Sequence, residues 1–266
     1  MEVYINEKPR DIAKGTMLFD LKKQIKKDSD VIVYNGFIVK ENLELKEKDR
    51  VVFIKRGEIP SEEDMEAMLV SRHTPLVHEK VKGYTVGIAG LGGLGSNVAL
   101  SLARLGVGKL VLIDFDVVEP SNLNRQQYFI RHIGMNKTDA LEELINECNP
   151  FVEIEKRKVF LDENNIEDVL RNVDIIVEAF DNPMSKAIIT NTVLRDMKDK
   201  KIVAASGMAG HFTGNTIVSR KIRGNFYLIG DGENEARPGQ GLMAPRVAIA
   251  ANHQANTVLR IILGEE

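Results

Sequence analysis

The residues most able to do chemistry begin with a set of glycines. Within residues 85–116, TVGIAGLGGLGSNVALSLARLGVGKLVLIDFD, Gly90, Gly92 and Gly95 stand at G-x-G-x-x-G spacing, with Gly93 inside the run. Glycines so placed permit a tight turn, a close approach of backbone to phosphate, and close packing of the next helix on the preceding strand. A helix starting there offers unpaired N–H groups and partial positive charge to an anion. Asp114 ends the following apolar run, where a carboxylate accepts hydrogen bonds from ribose hydroxyls, and Asp116 comes two residues later. The set is expected to bind a nucleotide. Arg125 lies in the polar loop beyond, and its fork suits anionic oxygens, although an arginine there also reads as a solvated surface group. Lys137 falls at a helix start, where a cation opposes the dipole unless an anion lies between. Asp181 is expected at a second strand tip beside that of Asp114, as a surface cap or as a holder of magnesium.

These side chains need alternating strands and helices to hold them. Residues 85–89 and 110–114 are continuous apolar runs, as strands buried on both faces require. Between them Val98, Leu102 and Leu105 share a helix face, and Gly106 is placed to end that helix. The loop 115–126, with Asn122, Arg125 and Gln126, leaves the carboxyl edge of the sheet, where open α/β sheets bind ligands. Further helices are expected at 137–146, 163–170, 183–197 and 244–263, and strands at 152–159, 174–177 and 202–206. Asn182 as N-cap and Pro183 at the first helical position open the third of those helices. Short β pieces at 216–218 and 227–229 interrupt a glycine-rich stretch. The order predicts a Rossmann-like, doubly wound, mainly parallel sheet over residues 73–266.

Residues 1–58 read as strand, strand, helix, strand, strand, with a hairpin signal at Asn35-Gly36. That is the order of a β-grasp, or ubiquitin-like, module, and it fits a docking or structural appendage. Residues 59–72 read as linker and helix, opened by Ser61 and Asp64 as a capping box. A net charge of -3 gives no nucleic-acid footprint. The apolar runs are too short for a membrane span, and the opening MEVYIN reads as a strand, which predicts a cytoplasmic protein. The single cysteine, Cys148, excludes an internal disulfide and a Cys-x-x-Cys zinc site, and reads as a packed helix-end residue. His211 and His253 lack spaced metal-ligand partners.

Three segments, GLGGLGSNVALSLARLGVGKLVLIDFDVVEPSNLNRQ, GMNKTDA and EAFDN, occur in that order. Together they resemble the ThiF/MoeB/HesA adenylyltransferases, relatives of the catalytic domain of ubiquitin-activating enzymes, over roughly residues 65–264. The resemblance implies that Asp114 binds ribose, that Arg125 and Lys137 bind the phosphates of ATP, and that Asp181 holds Mg2+ at the reacting phosphate. Asn122 and Gln126 would line the site. Arg72 resembles the arginine that a second subunit of a homodimer donates to the triphosphate. The implied reaction is attack by a carrier protein's C-terminal glycine carboxylate on the α-phosphate, giving an acyl-adenylate and pyrophosphate. That carboxylate is already ionised near pH 7, so positioning and positive charge suffice without a general base.

The sequence also departs from that pattern. Many members carry two Cys-x-x-Cys pairs for zinc, which one cysteine cannot supply, and the ThiF type has a sulfur-transfer cysteine where residues 206–245 have none. The resemblance therefore carries the adenylation step and leaves a covalent carrier link open. Residues 1–58 resemble ThiS, the sulfur carrier of thiamine biosynthesis, but VVFIKRGEIP has one glycine, Gly57, and runs on. The expected partner is thus a separate ThiS-like carrier ending in Gly-Gly. Two alternatives stay open: an NAD-dependent dehydrogenase, which shares the glycine unit and Asp114 but has no need of Arg125, Lys137 and Asp181, and a scaffold in which the nucleotide is only structural.

Overall fold

A computed structural model describes residues 1–266, except the side chain of Pro75, and the chain divides into two compact units, residues 1–78 and 79–266. The first unit contains β1 (Glu2–Ile5), β2 (Lys8–Asp11), α1 (Leu18–Ile25), β3 (Val31–Tyr34), β4 (Phe37–Val39) and β5 (Arg50–Ile54). The strand order is β2-β1-β5-β3-β4, with β1 and β5 parallel and the other pairs antiparallel. Asn35 and Gly36 both take positive φ, +49° and +89°, the pairing that a two-residue hairpin with the strands' own twist requires. Val3, Leu18, Leu21, Val51 and Phe53 form the core between sheet and α1.

The same unit takes in α2 (Glu62–His73). Ser61 Oγ accepts the Asp64 N–H at 3.1 Å, but the Asp64 carboxylate pairs with Lys8 at 2.7 Å, so the reciprocal half of the expected capping box goes to an ion pair. A further helix, α3 (Pro75–Lys82), was not expected from the sequence. The proline at its first position is the start signal that marked it.

The second unit runs β6 (Thr85–Ala89), α4 (Gly93–Leu105), β7 (Lys109–Ile113), α5 (Lys137–Cys148), β8 (Glu153–Arg157), α6 (Ile166–Val169), β9 (Ile175–Glu178), α7 (Pro183–Asp196), β10 (Lys201–Ala205), β11 (Val218–Arg223), β12 (Phe226–Gly230) and α8 (Ala244–Leu263). Its sheet has the order β11-β12-β10-β9-β6-β7-β8, parallel except for the β11–β12 pair. The chain winds outward through β7 and β8, then returns to the other side of β6. The order therefore reverses between β6 and β9, and the crevice beyond their carboxyl ends is the place for a ligand.

Val111, Ile113, Ile176, Ile189, Val193 and Ile202 belong to one core cluster that fixes this sheet against its helices. Each such side chain contributes about 1.5–3 kcal/mol by leaving water. The topology corrects one expectation. The tips of β7 and β9, which carry Asp114 and Asp181, are not neighbours, because β6 and its glycine turn lie between them.

Candidate nucleotide site

The turn from β6 to α4 is shaped by contacts that only glycine permits. Gly90 takes φ +91°, and a Cβ there would stand 2.9 Å from Ala179 O, just past the end of β9. A Cβ on Gly95 would stand 1.8 Å from Gly90 O, so α4 can start over the strand end only without one. Gly92, the N-cap, differs: a Cβ there meets only Gln126 Nε2, at 3.8 Å. The space before Gly92 is open, as close approach of a phosphate demands. At Gly93 the stem of Arg125 lies 3.3 Å from the Cβ position.

The peptide of Leu91, in the middle of the turn, is held at both ends. Its N–H donates to Asp114 Oδ2 at 2.7 Å, and its carbonyl accepts the Tyr128 hydroxyl at 2.8 Å. Asp114 Oδ1 accepts the Asp116 N–H at 2.8 Å. Each Asp114 oxygen thus takes one backbone donor and keeps capacity for another. Burial pushes the Asp114 carboxyl up, against the pull of the Lys137 ammonium and the two backbone donors. Burial, and then the charge of Asp114, raises Tyr128 well above an ordinary phenol, which keeps it a donor.

Lys137 is buried at the start of α5, with Nζ 2.9 Å from Asp116 Oδ2 and 3.8 Å from Asp114 Oδ2. Its opposition to the helix dipole is therefore answered by two carboxylates of the protein, and the position by itself does not call for a bound anion. Arg125 is different. Its Nη1 donates to Asn124 Oδ1 at 2.8 Å and to Ser121 O at 3.4 Å, both neutral, and among the described residues it pairs with no carboxylate. A guanidinium against the N-terminus of α4 places two positive features together, which favours an anion beside them.

The loop that presents Arg125 is fixed from within and from α4. Asn122 is buried, and its Oδ1 accepts the Glu119 N–H at 3.0 Å, shaping the short 3-10 turn Pro120–Asn124. Gln127 donates its N–H to Ser96 Oγ at 3.2 Å and its Nε2 to Asn97 Oδ1 at 2.6 Å. Between these anchors Gln126 is buried, and its Oε1 has no hydrogen-bond partner.

Asp181 follows β9, exposed and without a hydrogen bond or ion pair among the described residues. Asn182 caps α7 as expected, its Oδ1 accepting the N–H groups of Met184 at 2.8 Å and Ser185 at 3.3 Å. Among the described residues no three His, Cys, Asp or Glu side chains gather as a metal site. A single carboxylate nevertheless fits Mg2+, which usually takes one or two protein carboxylates and completes its shell with substrate phosphates and water. Arg72 lies in α2 of the first unit, exposed. Cys148 is half-buried at the end of α5, and burial pushes its thiol up. His211 stacks on Phe212, and His253 bonds Ser219 Oγ at 3.2 Å.

Sequence reading missed three buried groups near this edge. Tyr128 carried no signal. Glu178 was visible as an acid inside an apolar run, and it pairs with Lys186. Arg246, on α8, donates to Phe212 O at 3.0 Å, Thr213 O at 2.6 Å, Thr216 Oγ1 at 2.9 Å and the Asp231 carboxylate, tying down the irregular stretch before it.

A glycine turn at a helix start, a carboxylate at the next strand tip and a guanidinium with only neutral partners beside the turn belong to a domain of the doubly wound α/β class. Residues 66–266 match the family model described as the ThiF family, and residues 1–57 match that of the ThiS-like ubiquitin. The chain belongs to the ThiF family and carries a ThiS-like ubiquitin module. Molybdopterin-synthase adenylyltransferase of Haemophilus influenzae is 34% identical over 141 residues, covering 53% of this chain and 56% of that protein. Adenylyltransferase and sulfurtransferase UBA4 of Candida glabrata is 27% identical over 256 residues, 89% of this chain and 56% of the relative. The Kluyveromyces lactis UBA4 is 32% identical over 133 residues, of which the chain spans only 29% of the relative's length.

Among solved structures, E. coli tRNA N6-threonylcarbamoyladenosine dehydratase in complex with ATP superposes with a TM-score of 0.69 at 19% identity, covering 78% of this chain and 98% of that one. E. coli MccB with AMPCPP and MccA gives 0.58 at 23%, covering 76% and 62%. These likenesses establish the fold. No helix among the described residues is long and apolar enough to cross a membrane.

Proposed function

We propose that this protein is a cytoplasmic, ATP-dependent adenylyltransferase. It activates the C-terminal glycine carboxylate of a separate ThiS-like sulfur carrier ending in Gly-Gly, in thiamine biosynthesis, and it works as a homodimer. The observation that carries the reading is Arg125: a guanidinium with only neutral partners, packed against the open glycine turn at the start of α4. Family membership and the adenylyltransferase names of its relatives support the same chemistry, and the related fold in complex with ATP supports the nucleotide.

In this reading Asp114 offers its remaining acceptor capacity to the ribose, while Gln126 Oε1, buried and unpaired, accepts a donor from the bound nucleotide. Arg125 neutralises charge that builds on the α-phosphate oxygens. Lys137 lends its positive charge through the Asp114–Asp116 pair and turns to the phosphates when they arrive. Mg2+, held by Asp181 with the phosphates, would screen charge between nucleophile and leaving pyrophosphate. Arg72 serves the partner subunit's triphosphate. ThiS is preferred among carriers because the fused module itself matches the ThiS-like family. Gly57 of that module sits in a turn at φ +73° and leads on to α2, so it has no terminal carboxylate to activate.

The test is ATP–pyrophosphate exchange with each purified Gly-Gly-ended carrier, including those of molybdopterin and UBA4 type. Exchange dependent on a ThiS-like carrier supports the reading. Exchange with a different carrier moves the substrate, and a thermal shift with NAD but not ATP returns the dehydrogenase.

A further inference from the structure

The turn that presents Asp181 is held by the buried carboxylate of Glu178 and the half-buried ammonium of Lys186. Strands β9 and β10 pair in parallel as far as Val177 and Val203, and beyond that point their ladder ends. There the Glu178 carboxylate takes over the bonding. Its Oε1 accepts the Phe180 N–H at 2.7 Å and Lys186 Nζ at 3.0 Å; its Oε2 accepts Lys186 Nζ at 3.1 Å and the Ala205 N–H at 3.4 Å. Lys186 Nζ also donates to Ala205 O at 2.9 Å. Gln254 of α8 reaches the same place, its Nε2 donating to Glu178 O at 2.9 Å and Val203 O at 3.1 Å.

Such a pair is a poor way to stabilise a sheet, because desolvating two charges offsets most of their attraction and well-packed apolar groups do as well. What it provides here is a fixed geometry. Only Ala179, Phe180 and Asp181 separate Glu178 from the Asn182 cap of α7, and Lys186 is the fourth residue of that helix. The same three-residue turn is the wall that Gly90 rests on.

We propose that Glu178 and Lys186 form a positioning pair, which locks the parted ends of β9 and β10 to the first turn of α7 and so aims Asp181 at the phosphate site. This rests on the adenylyltransferase reading and deepens it. Neither side chain touches nucleotide or carrier; both act through Asp181.

Three full-length variants test it: Lys186→Arg, Lys186→Met, and Lys186→Met combined with Glu178→Gln, which leaves no unpaired buried charge if the single variant folds poorly. Two readouts are taken, pyrophosphate exchange and the gain in ATP affinity when Mg2+ replaces EDTA. Both methionine variants should lose about tenfold or more in kcat, as expected of an ångström-scale misplacement. Their magnesium-dependent gain in ATP affinity should shrink in parallel, and Lys186→Arg should keep both readouts near wild type. A folded double variant with full kcat and full magnesium gain would overturn the proposal and leave the pair a structural one. If the wild type shows no exchange with any carrier, the adenylation reading falls, while the magnesium gain still decides the positioning role. A wild type that binds ATP equally with and without Mg2+ overturns it.

Discussion

The peptide of Leu91 depends on two side chains far away in sequence, Asp114 by 23 residues and Tyr128 by 37. Tyr128→Phe deletes the only hydroxyl on its carbonyl and leaves a buried acceptor short, at a cost of about 1–2 kcal/mol in stability. Because the loosened peptide is the one in the phosphate turn, ATP affinity should fall as well, by several-fold in calorimetry at a temperature where the variant is folded. Unchanged affinity would detach Tyr128 from the site. Asp181→Ala makes the opposite separation: pyrophosphate exchange should disappear while ATP still binds, since the proposed role is to hold metal at the reacting phosphate. Full exchange in that variant removes Asp181 from the mechanism. The glycines and Asp114 were legible in the sequence because their spacing along one β-α-β unit is what the local geometry demands, and Arg125 because it stands in the polar loop beyond; Gln126 entered only through the family resemblance. Lys137 was legible as a site candidate but for the wrong reason, since Asp116 and Asp114 already answer its charge. Tyr128 and Lys186 were not legible, and Glu178 showed only as an acid inside an apolar run, because the groups they bond, the Leu91 carbonyl, the Glu178 carboxylate and the Ala205 peptide, are set beside them by the fold.

Elements obey the same division. The parallel strands other than the polar edge strand β8 announced themselves by apolar runs, and α8 by its face and Gly264, because burial on both sides or on one stripe writes directly into sequence. The short α3, the extension of β11 to Arg223 and the half-made cap of α2 did not, since each depends on neighbours more than on its own pattern. Within the glycine turn the roles can be separated. Gly95→Ala drives a methyl into Gly90 O and should prevent α4 from seating, with loss of folding or a large drop in Tm. Gly92→Ala has room at φ -76° and should keep Tm within a few degrees while weakening ATP binding about tenfold or more, because only the ligand needs that space. Equal losses of Tm in both variants would reject that division.

The segment tied by Arg246 offers an electrostatic counterpart. Burial alone would raise the Asp231 carboxyl, but donors from Asn234, Glu233 and Arg246 outweigh it and hold it at about 2, below the ordinary 3.8. A depressed carboxyl contributes stability above its unfolded value and loses it as pH falls toward the folded one. Asp231 should therefore contribute about 2 kcal/mol at neutral pH that is lost between 3.8 and about 2. Asp231→Asn should be less stable at neutral pH and show a flatter acid limb in denaturant melts. An unaltered limb would assign the acid sensitivity elsewhere.

At the scale of the molecule, the open question is what a carrier-like module does when it lacks a usable terminus. Residues 1–78 form one compact unit whose ubiquitin-like core is complete in itself, and Lys8 ties that core to α2 through Glu63 and Asp64. If the enzyme takes ThiS-like carriers as proposed, such a module has two ways to act on it. As a tethered competitor it would sit where the carrier docks, and the tether would keep its effective concentration high whatever its intrinsic affinity. As a structural part it would stabilise the fold or the dimer and leave docking alone. A permanent competitor needs a release signal, and the connection through residues 58–61 into α2 carries no cysteine or histidine, while its one hydroxyl, Ser61, is engaged in capping α2. The structural role is the better supported. Because α2 groups with the module, the informative truncation removes residues 1–73 and keeps α3, rather than cutting before Ser61. The shortened enzyme should melt several degrees lower or dissociate, with its KM for the free carrier and its ATP affinity unchanged. A truncated protein that remains folded with the same subunit number, but whose carrier KM falls severalfold, would instead make the module a built-in competitor for the carrier surface.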